Sequence, residues 1–328
     1  MSKKKKEMPK FLIWIQYSLF LVGIGIIRAL PLSVAYAVGK CVASLLFVVD
    51  RKHAGRAVRH VLHSGIRTNR RDARKLAYAS FIHMIKVFVE IVKFDQIVNK
   101  DNIHEYIKVS SDSCSRKMMS PESTCQIILA TGHLGNWELA GGTHSELTGL
   151  PMTSIMRPLA NKKIGNYFYT KRNGIAHETV SKEKGVKPLL NALRAGKTIA
   201  IVADQHASHK EGIELTFFGH PARTHMTPAL LHLKTSVPIF TAVVVRKDDD
   251  FHFMITAGKL IRYTPTGDKE KDIRAITEAY SASYEKLIRR FPDQWLWAHR
   301  RWLDCGRHAS WSPDHFETVK RNQTAEND

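Results

Sequence analysis

Residues 127–131 read Ile-Ile-Leu-Ala-Thr and run directly into Gly132-His133-Leu134-Gly135-Asn136-Trp137-Glu138. A short, uninterrupted apolar run is the signature of a buried strand. Gly132 and Gly135 punctuate its end, and an amphipathic stretch containing Leu and Ala follows. The rest of the chain repeats this alternation. Strands are expected at Ile127–Ala130, Thr153–Met156, Ile199–Ala203, Ile239–Val245 and Phe251–Ile255. Helical patterns lie between or after them. In Val186–Ala195, Leu189, Leu190 and Leu193 share one side and Gly196 is a stop signal. Asp272–Phe291 is a longer pattern of the same kind. The alternation predicts an α/β fold, a mixed sheet covered by helices.

His133 stands in the turn beyond a strand's carboxyl end, where α/β proteins usually place chemistry. Glu138 follows five residues later. On a continuous helix, positions five apart are rotated by about 140° and do not face each other. A meeting of the two therefore requires a bend, which the glycines permit. A carboxylate on one ring nitrogen orients the imidazole and stabilises its protonated form. The other nitrogen is then free to take a proton from a hydroxyl. The same spacing recurs at His206/Glu211, His209/Glu214 and His299/Asp304, but only His133 follows an apolar strand between glycines. From spacing and context alone, a structural histidine at a strand end remains the alternative.

The amino terminus carries the second strong pattern. Lys3–Lys6 and Lys10 precede Phe11–Ile27, an apolar run broken only by Gln16 and Ser18. Its length sits at the lower limit for a bilayer span. We read it as a membrane anchor, spanning the bilayer or lying in its interface. A cleaved signal peptide, with Ala35-Tyr36-Ala37 as a cleavage-like site, and a buried core helix are the alternatives. Basic residues flank both ends, so charge does not fix orientation. Residues 29–50 are largely apolar and suit a second helix on the membrane or the core. Arg51–Lys75 is strongly basic, and Ala77–Val98 has an apolar face of Phe81, Ile85, Phe88 and Val92.

The chain's 328 residues carry a formal net charge of +20. Such a charge favours an anionic partner: a membrane surface, an acidic protein or a phosphorylated substrate. Nucleic acid is disfavoured, because no recognised motif accompanies the charge and aromatics are not interleaved with it. The four cysteines lack a C-x-x-C pair and suggest a reducing compartment. His206 and His209 lack a third ligand candidate nearby, so no metal site is expected. No nucleotide motif is visible, and no cofactor is expected.

Six blocks together resemble one family. They are His133–Glu138; Met156-Arg157-Pro158 with Asn161; Lys171-Arg172-Asn173-Gly174; Ala203-Asp204-Gln205; Phe217–Ala222; and Pro292–Trp302. In this order, behind an apolar amino-terminal segment and Leu30-Pro31-Leu32, the chain resembles the bacterial lipid A biosynthesis acyltransferases. These are the lauroyl/myristoyl acyltransferases related to the mycobacterial mannoside acyltransferase.

The resemblance implies an acyltransferase fold with an N-terminal membrane-anchor helix. It divides the chain into a basic N-terminus and anchor (1–28), an acyltransferase domain (29–310) and a polar tail (311–328). It implies O-acyl transfer from a thioester, acyl–acyl carrier protein, to a hydroxyl of a lipid A precursor in lipopolysaccharide biosynthesis. The expected place is the inner membrane, with the catalytic domain on its cytoplasmic face. His133 and Glu138 map to the family's catalytic pair and Arg172 to its essential arginine. Arg157, Asp204 and Gln205 match further substrate-site positions. A related reading is acylation of another glycolipid or an aminolipid, with acyl-CoA as donor. A reading of another class is a basic membrane-surface binding protein whose His133/Glu138 pair is inactive. The aromatic block Trp295–Trp302 is expected to be core, with Arg300 and Arg301 as structural ion-pair donors.

Overall fold

The computed structural model describes residues 9–172, 177–182, 185–248 and 250–303. Helix α1 (Lys10–Ala29) contains the first apolar run, and α2 (Leu32–Val49) follows after Leu30 and Pro31. Proline fits the first turn because its missing N–H would have no partner there. Helix α3 (Arg51–His63) starts at Asp50, whose carboxylate accepts the His53 amide. Helix α4 (Arg70–Ile97) starts at Asn69, whose side chain accepts from Asp72. The helix expected from Ala77 is thus the later part of a 28-residue helix whose first turns carry basic residues. Helices α1, α2 and α3 all pack on α4.

The remaining elements are α5 (Ile103–Tyr106), β1 (Ile107–Val109), α6 (Ser113–Met118), β2 (Ile128–Thr131), α7 (Trp137–Thr148) and β3 (Met152–Met156). Then come α8 (Lys162–Arg172), β4 (His177–Ser181), α9 (Lys187–Arg194) and β5 (Thr198–Val202). The hairpin β6 (Gly212–Phe217) and β7 (His220–His225), α10 (Thr227–Thr235), β8 (Ile239–Arg246), β9 (Phe253–Ile261) and α11 (Lys269–Arg290) complete the order.

The main sheet runs β1-β9-β8-β2-β5-β3-β4. Only the β8–β9 pair is antiparallel, so the sheet is mixed, as expected. Successive strand residues point to opposite faces. Ile127 and Leu129 therefore join Phe240, Ala242 and Val244 in one core, beneath α7. Ile128 and Ala130 join Ile199, Ile201 and Ile239 in another, beneath α9, α10 and α11. Burial on both faces is what an unbroken apolar strand requires. A third core binds the β6–β7 hairpin to Trp295, Trp297, Trp302, α3 and α4.

Helices α1 and α2 are each long and apolar enough to cross a bilayer. Yet α1 is fastened to the protein along its length. Asn161 donates to the Ile13 carbonyl at 2.9 Å, and Phe20 packs on Phe88 and Tyr167. Arg28 bonds Asp95 and the Val92 carbonyl. Only Ile24 of α1 is fully buried, which argues against a core helix. Ala35-Tyr36-Ala37, the cleavage-like tripeptide, lies inside α2 with Ala35 and Tyr36 buried. The polar tail lies outside the described residues.

Candidate active site

Four parallel strands end at one rim, and each delivers a candidate residue to it. His133 follows β2, Arg157 follows β3, Lys182 follows β4, and Asp204 and Gln205 follow β5. β2 and β5 are hydrogen-bonded neighbours, with Thr131 opposite Val202. The residues two positions past these strand ends therefore meet.

The carboxylate that holds His133 is Asp204. Its Oδ1 lies 2.8 Å from His133 Nδ1, and its Oδ2 accepts the His133 backbone N–H at 2.8 Å. Ring and main chain are thus fixed by one side chain. Trp295 Nε1 donates to Oδ2 at 2.9 Å, and His299 Nε2 lies 3.4 Å from the same oxygen. Asp204 is fully buried, which pushes its carboxyl upward. The His133 and His299 rings reverse this and hold it well below the usual carboxylate range. With Nδ1 committed to Asp204, Nε2 is the nitrogen able to act as a base.

Glu138, the partner that the spacing suggested, lines the same cavity as His133. It sits in the first turn of α7 and reaches His133 through Trp137. The Trp137 indole N–H donates to Glu138 Oε1 at 3.0 Å, and the ring meets the imidazole edge-on at 4.9 Å. The bend between the two is real. Gly135 has φ 65°, and a side chain there would strike the Val244 carbonyl. A Cβ at Gly132 would collide with Tyr284 and the Asp204 side chain. The two glycines therefore serve close packing of the turn on β8 and on Asp204.

His133, Glu138, Arg157 and Gln205 line one cavity of about 780 Å³, together with Lys182, His206 and Arg300. The Gln205 amide lies 3.3 Å from each imidazole nitrogen. A smaller recess of about 110 Å³ adjoins it at Glu138, lined by Ile91, Phe94, Leu139 and Phe168. Arg172 closes α8, but its side chain lies outside the described residues.

Sequence reasoning missed the holders of Asp204. Trp295 is core, as expected, but its indole N–H also anchors the carboxylate. Arg301 is buried and bonds Thr224 Oγ1 and the Arg223 carbonyl, which replaces the expected ion pair by neutral acceptors. Arg300 is exposed and faces the cavity. His133, Asp204 and His299 offer ligand atoms within 4.8 Å of one another, close enough for a cation. Both Asp204 oxygens, however, already accept N–H donors.

Over 180 residues the chain is 24% identical to the phosphatidylinositol mannoside acyltransferase of Mycobacterium tuberculosis (strain CDC 1551 / Oshkosh), covering 54% of each chain. It is 23% identical to the protein of that name from Mycolicibacterium smegmatis (strain ATCC 700084 / mc(2)155), covering 54% of this chain and 56% of the relative. The chain thus spans about half the length of the curated relatives it matches. The family model described as bacterial lipid A biosynthesis acyltransferase matches residues 1–304, and the chain belongs to that family.

Proposed function

We propose that the protein transfers an acyl chain from a thioester to a hydroxyl of a membrane glycolipid. The observation that carries this reading is a histidine pinned by a buried carboxylate at the wall of a large cavity, in a member of an acyltransferase family. His133 Nε2 takes the acceptor's hydroxyl proton as the oxygen attacks the thioester carbonyl. The C–O bond forms, the C–S bond breaks, and the leaving thiolate recovers the proton from the imidazolium. Asp204 holds the ring and offsets its positive charge. A thioester is already activated, so no covalent enzyme intermediate is needed.

Glu138 lines both the main cavity and the apolar recess, a position suited to orienting the reacting thioester. The recess suits an acyl chain. Arg157, Lys182 and Arg300 suit an acceptor bearing phosphate. Arg172 is proposed, on the family pattern, to serve the same acceptor or the developing oxyanion. Membership of the family favours a lipid A precursor as acceptor and acyl–acyl carrier protein as donor. The named relatives favour a phosphatidylinositol mannoside as the second reading. Membrane attachment through α1 and α2 on the cytoplasmic face of the inner membrane fits either. Because α1 is held along the protein's flank, we read it as lying in the interface.

The test is lipid mass spectrometry of cells making the wild-type chain or His133→Ala. A gain of one acyl chain on lipid A in the wild type alone is expected. A gain on another glycolipid replaces the acceptor. No gain on any lipid, with folded protein in the membrane fraction, removes the enzyme reading in favour of a binding protein.

A further inference from the structure

Outside α1 and α2, the described residues expose large apolar side chains at three positions: Leu159 (43% exposed), Val186 (41%) and Leu303 (47%). Single exposed apolar residues are ordinary on a protein surface and need no explanation. Scatter would spread three of them over the molecule, whereas these share one place. Val186 and Leu303 line the His133 cavity. Leu159 lies two residues beyond Arg157, which lines it too. All three stand around the cavity at the carboxyl ends of the parallel strands.

This rim continues into α1. Leu159 packs against α8 at Gly165. The segment that follows it holds the amino-terminal half of α1. Asn161 donates to the Ile13 carbonyl, and the Lys163 ammonium lies 3.6 Å from the centre of the Trp14 ring. Phe11, Trp14 and Ile15 are exposed there. A bilayer covering this end of α1 therefore lies next to Leu159.

Charge points the same way. Residues 157–172 contain five lysines and arginines and no Asp or Glu. Exposed Arg157 and Lys162 bracket Leu159, exposed Lys187 follows Val186, and exposed Arg300 precedes Leu303 by three residues. Of the carboxylates lining the cavity, Glu211 is paired with Lys182. Apolar side chains set among cations suit the interface of an anionic bilayer, where the former enter the acyl boundary and the latter meet headgroup phosphates. An acidic protein would match the cations but not the continuity with α1.

We propose that the rim of the His133 cavity is itself a membrane-docking surface: Leu159, Val186 and Leu303 enter an anionic bilayer, and Lys162 and Lys187 meet its headgroups. The cavity then opens onto lipid, and a glycolipid acceptor reaches His133 by lateral movement without leaving the membrane. The inference rests on the membrane attachment proposed for α1 and goes beyond it, because attachment through the helices alone leaves the rim in water.

The test is photochemical. In the full chain, p-benzoylphenylalanine replaces Leu159, Val186 or Leu303 in turn. Leu19 of α1 and Leu45 of α2 are the reference positions, and exposed Ala195, at the opposite end of β5 from Asp204, is the control. Each variant is irradiated on vesicles of phosphatidylglycerol or of phosphatidylcholine, and lipid adducts are measured by mass spectrometry. On phosphatidylglycerol, the three rim positions should give adducts at least about tenfold above Ala195. Lys162→Gln with Lys187→Gln should lower the rim adducts to the phosphatidylcholine level, while circular dichroism and the adducts at Leu19 stay unchanged. Adducts at Leu19 and Leu45 with none at the rim above Ala195 overturn the proposal and leave the helices as the whole attachment. Absence of adducts at Leu19 and Leu45 as well overturns the membrane reading together with it. Rim adducts with an added acyl carrier protein in preference to lipid overturn the bilayer as occupant and assign the surface to an acidic protein.

Discussion

Asp204→Asn separates the pairing seen in the structure from the one suggested by sequence spacing. The carboxylate is fully buried and accepts from the His133 amide, His133 Nδ1 and Trp295 Nε1, with His299 close by. Asparagine has nearly the same shape but only one acceptor oxygen. That oxygen cannot serve the donors on both sides of the carboxylate, so an amide NH₂ must face at least one N–H. If it faces His133, the ring proton moves to Nε2 and the base is lost. For a carboxylate–imidazole pair, the same change costs about 10⁴-fold in kcat, or about 5.5 kcal/mol of activation energy. The mismatched donor costs about 1–3 kcal/mol of stability. In the proposed mechanism Asp204 acts through the ring, so kcat should fall while KM stays nearly constant. The assay is steady-state transfer of labelled acyl chains from thioester to glycolipid, beside a thermal unfolding curve. If Asp204→Asn keeps kcat within about threefold while Glu138→Gln loses about 10³-fold, the reasoning fails. Glu138 would then be the working partner of His133.

Three further outcomes follow from the same structure. Gly135→Ala must adopt φ 65° against the Val244 carbonyl, so unfolding temperature should drop by an amount corresponding to at least about 1–2 kcal/mol; an unchanged midpoint refutes the strain. Burial lowers the His60 pKa to about 3 and that of His144 to about 4, and holds His83 well below its usual range. These rings stay neutral when folded but bind protons when unfolded below pH 6.5, so stability is complete above that value and lost as pH falls toward 4. The slope should approach about 1.4 kcal/mol per pH unit for each ring, read from denaturant titrations between pH 7.5 and 5; a flat profile excludes this. Finally, Val38→Glu with Leu45→Glu, on the exposed stripe of α2, should shift protein from membrane to soluble fractions without changing its unfolding midpoint. Retention in membranes at high salt would place the anchor elsewhere.

The parts that the sequence made legible are those with strong local periodicity. The run 127–131 announced a strand buried on both faces, and long amphipathic repeats announced α4 and α11. The β6–β7 hairpin was harder to read. Ile213, Leu215 and Phe217 alternate, but Phe218 (φ 53°) and Gly219 (φ 76°) form the turn, and Pro221 masks the second strand. β4 lies at the sheet edge, where the polar His177–Ser181 needs no apolar run. His133 itself was legible, but its partner was not local. Glu138 is near in sequence, whereas Asp204 is near because β2 and β5 run side by side and end together. The sequence marks Ala203-Asp204-Gln205 as the end of a strand. Only knowledge of strand order could join it to His133.

That dependence on strand order bears on how the chain is made. Helices α1 and α2 leave the ribosome before β2 and β5 and are apolar enough to settle on a membrane early. The imidazole at position 133 then waits for Asp204, and Asp204 waits for Trp295 and His299 to fasten it. A nascent chain therefore lacks the assembled His133–Asp204 pair until nearly all of residues 1–299 have been synthesised. Under the proposed function, attachment would precede activity, and a product stalled before Trp295 would lack the donor that fastens Asp204.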